Sequence, residues 1–189
     1  MKTSNYILIA IFILVIVCIL TFFITAKQNE HFFDKSEILL SDTIKVIVAE
    51  SNTNFDIRSS DRNILLWNNS IKGTAIYYIS NDTLFLNVAA FSPVIMLNHS
   101  VSILGEKDNA IVINDYKANR LTVKKTGGNL AMLRNTIDTL QIQATDNATV
   151  YLFNANRIEH LSVDMRNGST FDHGNNSKIG TMNVTIDNQ

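Results

Sequence analysis

Residues 121–168 read LTVKKTGGNLAMLRNTIDTLQIQATDNATVYLFNANRIEHLSVDMRNG. Three times in this stretch an apolar pair spaced i, i+2 is followed, seven positions after its first member, by a residue type that tolerates positive φ. These are Leu121/Val123 with Gly128, Leu140/Ile142 with Asn147, and Leu161/Val163 with Gly168. Working outward, Val101/Ile103 with Asp108 precedes the stretch and the pair Met182/Val184 follows it. The first members are separated by 20, 19, 21 and 21 residues, a period that points to a solenoid.

A second pair is expected ten and twelve positions after each first member: Ile111/Ile113, Ala131/Leu133 and Val150/Leu152, decaying to Phe171 and His173. Three positions before the first member stand Ala118, Ile137, Ile158 and Ile179. Alternation with period two makes each segment a half-buried strand, and Thr122, Gln141, Ser162 and Asn183 form one outward row. Each coil then holds two or three short strands and buries its apolar side only by stacking on neighbours. A two-layer antiparallel sandwich also repeats strands every 8–12 residues, but has no reason to keep turn residues at a constant offset. Upstream, strands are predicted around Ile44–Val48, Phe55–Ile57, Ile64–Trp67, Ile76–Ile79 and Leu84–Val88, with looser spacing. This half is expected to be an antiparallel start or cap, and no helix is predicted after residue 40.

Tyr6 to Thr25 is an uninterrupted apolar run, preceded by Lys2 and followed by Lys27. Its length suits a bilayer core better than the shorter apolar stretch of a cleaved signal. The expected organisation is therefore a short tail at 1–5, a transmembrane signal anchor at 6–26 contacting the lipid bilayer, a polar stalk at 27–40 and a β-domain at 41–189. The β-domain is expected on the periplasmic or extracellular side. The sole cysteine, Cys18, falls inside the apolar run, so disulfides and cysteine catalysis are excluded from the β-domain. Net charge is −1 and only 17% of residues are charged; no basic stripe interleaved with aromatics exists, which argues against nucleic acid. Seven Asn-x-Ser/Thr sequons occur, at Asn68, Asn81, Asn98, Asn147, Asn167, Asn175 and Asn183, in a chain whose turns already favour Asn.

The Leu84-x-Leu86 strand leading through Ser92-Pro93-Val94, the extracytoplasmic start and the L-x-V type units at 121, 140 and 161 resemble the auto-transporter adhesin, head GIN domain family of bacterial envelopes. The likeness covers about residues 44–189. It implies a right-handed parallel β-helix of about 20 residues per coil, all-β, with no assigned catalytic residue. Family members use Gly-Ser-Gly type turns; this chain has seven glycines and places Asp108-Asn109, Gly127-Gly128-Asn129, Asn147-Ala148 and Asn167-Gly168-Ser169 there. Asn and Asp adopt the same left-handed turns.

Glycan-active β-helices align carboxylates on one outer face, and two carboxyl groups must face each other across the scissile bond. His160, Ser162 and Asp164 are predicted to point outward, as is Asp172. The nearest carboxylates in neighbouring coils are Asp138, Asp146 and Glu159, but the equivalent places hold Thr139 and Thr181 beside His160, and Tyr151 beside Asp172, so no aligned carboxylate pair is expected. The histidines lack the three or four converging partners of a zinc site, and Gly127-Gly128 lacks the Lys-Ser/Thr of a phosphate loop; no cofactor or metal is expected. Aromatic side chains on a β-surface can stack on sugar rings. Trp67 and Tyr116 are aromatic candidates, and Tyr77, Tyr78, Tyr151, His160 and Asp172 are the candidate glycan contacts. The expected function is non-enzymatic adhesion, scaffolding or envelope ligand binding, with a cell-surface glycan or envelope protein as partner; the alternative is a carbohydrate-active protein. Met182/Val184 lacks a following turn and second strand, so end-to-end self-association is also expected.

Overall fold

The computed structural model describes residues 35–68, 77–87, 92–153, 155–174 and 176–187. The anchor expected at 6–26, with Cys18, lies outside them, as does the stalk up to residue 34. Among the described residues no helix is long and apolar enough to cross a membrane. Ser36–Gln189 forms one compact unit.

The unit is a β-solenoid of two eight-stranded sheets. Its regular part is four successive turns: β8 (Ser102–Gly105) with β9 (Ala110–Asn114), β10 (Lys117–Thr126) with β11 (Asn129–Leu133), β12 (Thr136–Thr145) with β13 (Thr149–Leu152), and β14 (Arg157–Arg166) with β15 (Thr170–His173), followed by β16 (Lys178–Asp187). Each strand pairs parallel and in register with its equivalent one coil away; Leu121 faces Leu140, Leu140 faces Leu161, and Leu161 faces Met182. The inward rows Val101/Leu121/Leu140/Leu161 and Ile103/Val123/Ile142/Val163 are buried, as the i, i+2 pairs predict. All four residues at offset seven lie at positive φ: Asp108 at 61°, Gly128 at 62°, Asn147 at 61° and Gly168 at 75°.

One expected pair is corrected. In the 19-residue coil the inward residues of β11 are Leu130 and Met132, in register with Ile111 and Ile113, whereas Ala131 and Leu133 are only partly buried. The turn there is one residue shorter than its neighbours. The buried residue that follows the left-handed turn elsewhere, Asn109, Ala148 or Ser169, has no counterpart between Gly128 and Asn129, so the frame moves back by one.

The other turn of each coil uses one left-handed residue, Asp115, Arg134 or Ala155, followed by a buried side chain that holds the coils together. Asn135 Oδ1 accepts from the Tyr116 backbone N–H at 2.9 Å, and Asn135 Nδ2 donates to the Ile113 carbonyl at 2.9 Å. Asn156 repeats this one coil on: its Oδ1 accepts from Asn135 N at 3.1 Å and its Nδ2 donates to the Met132 carbonyl at 3.0 Å. Buried turn amides are thus satisfied by side chains of the adjacent coil.

The upstream half departs from the expected antiparallel start or cap: its inner strands continue the parallel ladder, only its outer pairings are antiparallel, and its order is not the order of the chain. β2 (Val46–Ala49) and β3 (Phe55–Ser59) stack directly beneath β8 and β9. β6 (Thr83–Leu86) and β7 (Val94–Leu97), although later in sequence, stack on the far side of β2 and β3. β5 (Tyr77–Ser80) then pairs antiparallel with β6, and β4 (Ile64–Asn68) antiparallel with β7. β1 (Lys35–Leu39) lies beyond β4.

One charge is buried in the core. Lys125 is 1% exposed and occupies the row that holds Gly105, Ala144 and Met165 in neighbouring coils. Its ammonium donates to the carbonyls of Glu106 at 3.1 Å and of Gly127, inside the short turn. A Cβ on Gly105 would stand 2.9 Å from Lys125 Cδ, so that glycine makes room for the stem. Burial pulls the amine down to about 8.

Two stability predictions follow from this geometry. At Gly128 a Cβ would lie 2.2 Å from the Asn109 carbonyl oxygen on a backbone of φ +62°, so Gly128→Ala should cost roughly 2–4 kcal/mol, measured by denaturant unfolding. Because the folded amine binds its proton less tightly than the unfolded one, the unfolded chain holds more protons between about pH 8 and 10.5, and stability from this group rises with pH across that window. Lys125→Met should remove this rise, leaving the variant roughly 3 kcal/mol less pH-dependent than the parent across that window. Parallel pH curves for parent and variant would refute the assignment.

Candidate functional site

Each long strand of the second sheet carries a corner. Ladder partners are formed at 118, 137, 158 and 179 and again at 120, 139, 160 and 181, but not at the positions between. The step from Ile137 to Leu140 covers three residues instead of two, so Asp138 and Thr139 both turn outward while their apolar flanks stay buried. The same break recurs in β10, β12, β14 and β16, and the corners line up into a shallow groove running along the solenoid axis.

Two hollows follow this line, and a third adjoins them at a neighbouring turn. One of 710 Å³ is lined by Asp138, Arg157, Glu159 and Lys178 over the floor of Ile158 and Ile179. A second of 520 Å³ shares Asp138 with it and adds His99, Lys117 and Asn119. A third of 600 Å³ shares Lys117 and Asn98 with the second and reaches Asp61 and Asp115. Coils repeat at about 4.8 Å, so charges and amides are presented at that interval along the groove. Among the described residues the ion pairs are Arg58–Asp56, Arg62–Glu37, Arg134–Asp115 and Arg166–Asp164, of which the third touches these hollows, through Asp115. Lys117, Asp138, Arg157, Glu159 and Lys178 are left without a partner charge among them. At the far end Arg134 donates to Asp115 through Nε at 2.8 Å and Nη2 at 2.9 Å. That two-point hydrogen bond holds the Asp115 carboxyl below its usual range and the guanidinium above its own.

The corner also corrects the expectation that no carboxylates align. Asp138 and Glu159 occupy the same position of consecutive coils, between the ladder partners Ile137/Ile158 and Thr139/His160, and line the same hollow. The residue types are visible in the sequence, 21 positions apart. Their alignment escapes a reading in strict alternation because the corner adds one outward residue.

The candidate glycan contacts are not gathered here. Tyr77 packs on the core, tilted 45° against Trp67 with ring centroids 6.1 Å apart. Tyr78 is 51% exposed and stacks on Phe85 at 4.4 Å, near the capped end. Tyr151 stacks on Phe153 at 5.5 Å and is in register with Asp172 on the first sheet. His160 faces outward on the second sheet, Nδ1 2.9 Å from Thr181 Oγ1. These five therefore fall in three separate places. Tyr116, an aromatic candidate by sequence, is fully buried; its hydroxyl donates to the His99 carbonyl, and burial pushes the phenol above its ordinary range. Among the described residues no cluster of three or more His, Cys, Asp or Glu is placed to hold a metal ion.

No protein-family model matches the chain, and no curated protein matches it. Among solved structures it is similar to a crystal structure named "putative adhesin (BF0245)" from Bacteroides fragilis NCTC 9343. That likeness has 12% identity and a TM-score of 0.33, covering 82% of this chain and 96% of the other.

Proposed function

We propose that this chain is a membrane-anchored, extracytoplasmic β-solenoid that binds an extended polymeric ligand, a glycan chain or a peptide strand, along its corner groove, without turning it over. The observation that carries this reading is the run of charges, without ion-pair partners among the described residues, that consecutive coils contribute to adjoining hollows. A rigid ladder presents them at a fixed spacing, so a repeating ligand gains several weak contacts at once and little ordering of the protein is required. The groove is open and shallow, which suits a chain lying across it better than a small molecule enclosed by it. The apolar run 6–25 supports the anchor. Right-handed winding of the head GIN type is supported by the strong preference of parallel crossovers for that hand.

A second reading rests on one specific observation. Asp138 and Glu159 share one hollow with Arg157 and Lys178, and a carboxylate pair on neighbouring strands is the raw material of glycoside cleavage. Under this reading the protein is a carbohydrate-active solenoid.

The two are separated by one set of measurements on the detergent-solubilised full chain. Glycan-array binding should be retained, with products absent after prolonged incubation. Arg157→Glu with Lys178→Glu should weaken binding of an acidic glycan about tenfold or more while leaving the melting temperature unchanged. Product release that vanishes in Asp138→Asn or Glu159→Gln would replace the binding reading with the enzymatic one.

A further inference from the structure

β16 is the outermost described strand of its sheet, and it continues every inward row of the solenoid without anything described on its far side. Ile179, Met182, Val184 and Ile186 stand in register with the buried Ile158, Leu161, Val163 and Met165. Yet Met182 is 49% exposed and Ile186 is 55% exposed. One edge of the strand faces its partner β14 and the other has no partner strand among the described residues, so its backbone donors and acceptors form a template for pairing with a further strand.

The sequence of β16, Lys178-Ile-Gly-Thr-Met-Asn-Val-Thr-Ile-Asp187, is complementary to itself in one antiparallel register. Side chains directly opposed in an antiparallel pair share a face. Placing Asn183 opposite its own copy puts Met182 against Val184 on the inward face and Thr181 against Thr185 on the outward face. The corner then sets Gly180 and Thr181 together on the outer side, two residues opposite one, which is the count of a β-bulge. Past that bulge Ile179 meets Ile186 on the inward face and Lys178 meets Asp187 on the outward face. Every apolar residue of the strand is matched with an apolar one, and the only two charges of the strand are matched with each other, twice by symmetry.

We propose that β16 pairs antiparallel with the β16 of a second copy of this chain, about a two-fold axis at Asn183, joining the two solenoids end to end at their open ends. The alternative end-to-end arrangement sets β16 against the capped end of the next copy. There the outer strand of the same sheet is the four-residue β5, which leaves most of the ten-residue β16 unmatched and neither of its charges answered. A two-fold pairing also closes, consuming both sticky edges in one contact. Joined in this way, each assembly carries two corner grooves.

Site-directed cross-linking in the full chain, in a Cys18→Ser background, tests the register. Asn183→Cys should form a disulfide-linked dimer under mild oxidation, since only a two-fold register brings residue 183 to its own copy within disulfide reach. Gln141→Cys, in the same outward row two coils away, should stay monomeric. Lys178→Glu and Asp187→Lys should each slow cross-linking about tenfold by setting like charges opposite one another, and the double swap should restore the parent rate within about twofold. All these positions are exposed, so circular dichroism melts should coincide with the parent. Absence of the Asn183→Cys dimer, equal cross-linking through Gln141→Cys, or failure of the double swap to recover would overturn the proposal. A cross-link between Asn183→Cys and an Ile79→Cys chain would do the same in favour of head-to-tail stacking.

Discussion

The rest of this molecule depends on one constraint: a parallel ladder must place like positions above like at about 4.8 Å. A single coil has too little interior to bury anything, and its apolar pairs are covered only by the coils on either side. Side chains in one row must therefore be mutually compatible in volume, and an exception in one coil is compensated in the next. Lys125 shows this most plainly. It stands in a row of small or apolar residues, and the neighbouring Gly105 leaves the space its stem fills. The short turn around Gly127 and Gly128 supplies carbonyl oxygens to its ammonium.

The same constraint explains which parts of the fold are legible from sequence. Where coils are regular, the period, the inward pairs and the left-handed turn residues can be read directly, because φ above zero restricts the choice to Gly, Asn and Asp at Asp108, Gly128, Asn147 and Gly168. The pair Leu130 and Met132 is misread because a one-residue deletion inside a turn inverts the face of everything after it until the next register point. The placement of β6 and β7 outside β2 and β3 is not legible at all. All four strands carry the same alternating apolar pattern, and nothing in that pattern says which neighbour each will choose.

The groove was partly legible. The apolar residues three positions ahead of each first member, Ala118, Ile137, Ile158 and Ile179, already signal a break in alternation, and that break is the corner. What it does to the intervening residues is a matter of geometry: two consecutive side chains point outward, and stacking turns a local kink into a continuous feature. The aromatic candidates illustrate the opposite difficulty. Tyr116 and Tyr78 look alike in sequence, but a turn amide network buries the first and the capped end exposes the second.

The inverted coil order has a mechanical consequence. A solenoid wound in strict sequence has its earliest strand at one end, where tension applied through the preceding chain peels it away one hydrogen bond at a time. Here the first coil is enclosed, with β2 bonded to β6 on one side and to β8 on the other. Once β1 is drawn off, a pull arriving through residues 40–45 loads β2 along its own axis, between two parallel ladders that must slip together. Shear of this kind spreads the load over all the bonds at once, so the domain is wound to withstand traction from the side on which the apolar run 6–25 lies in the chain.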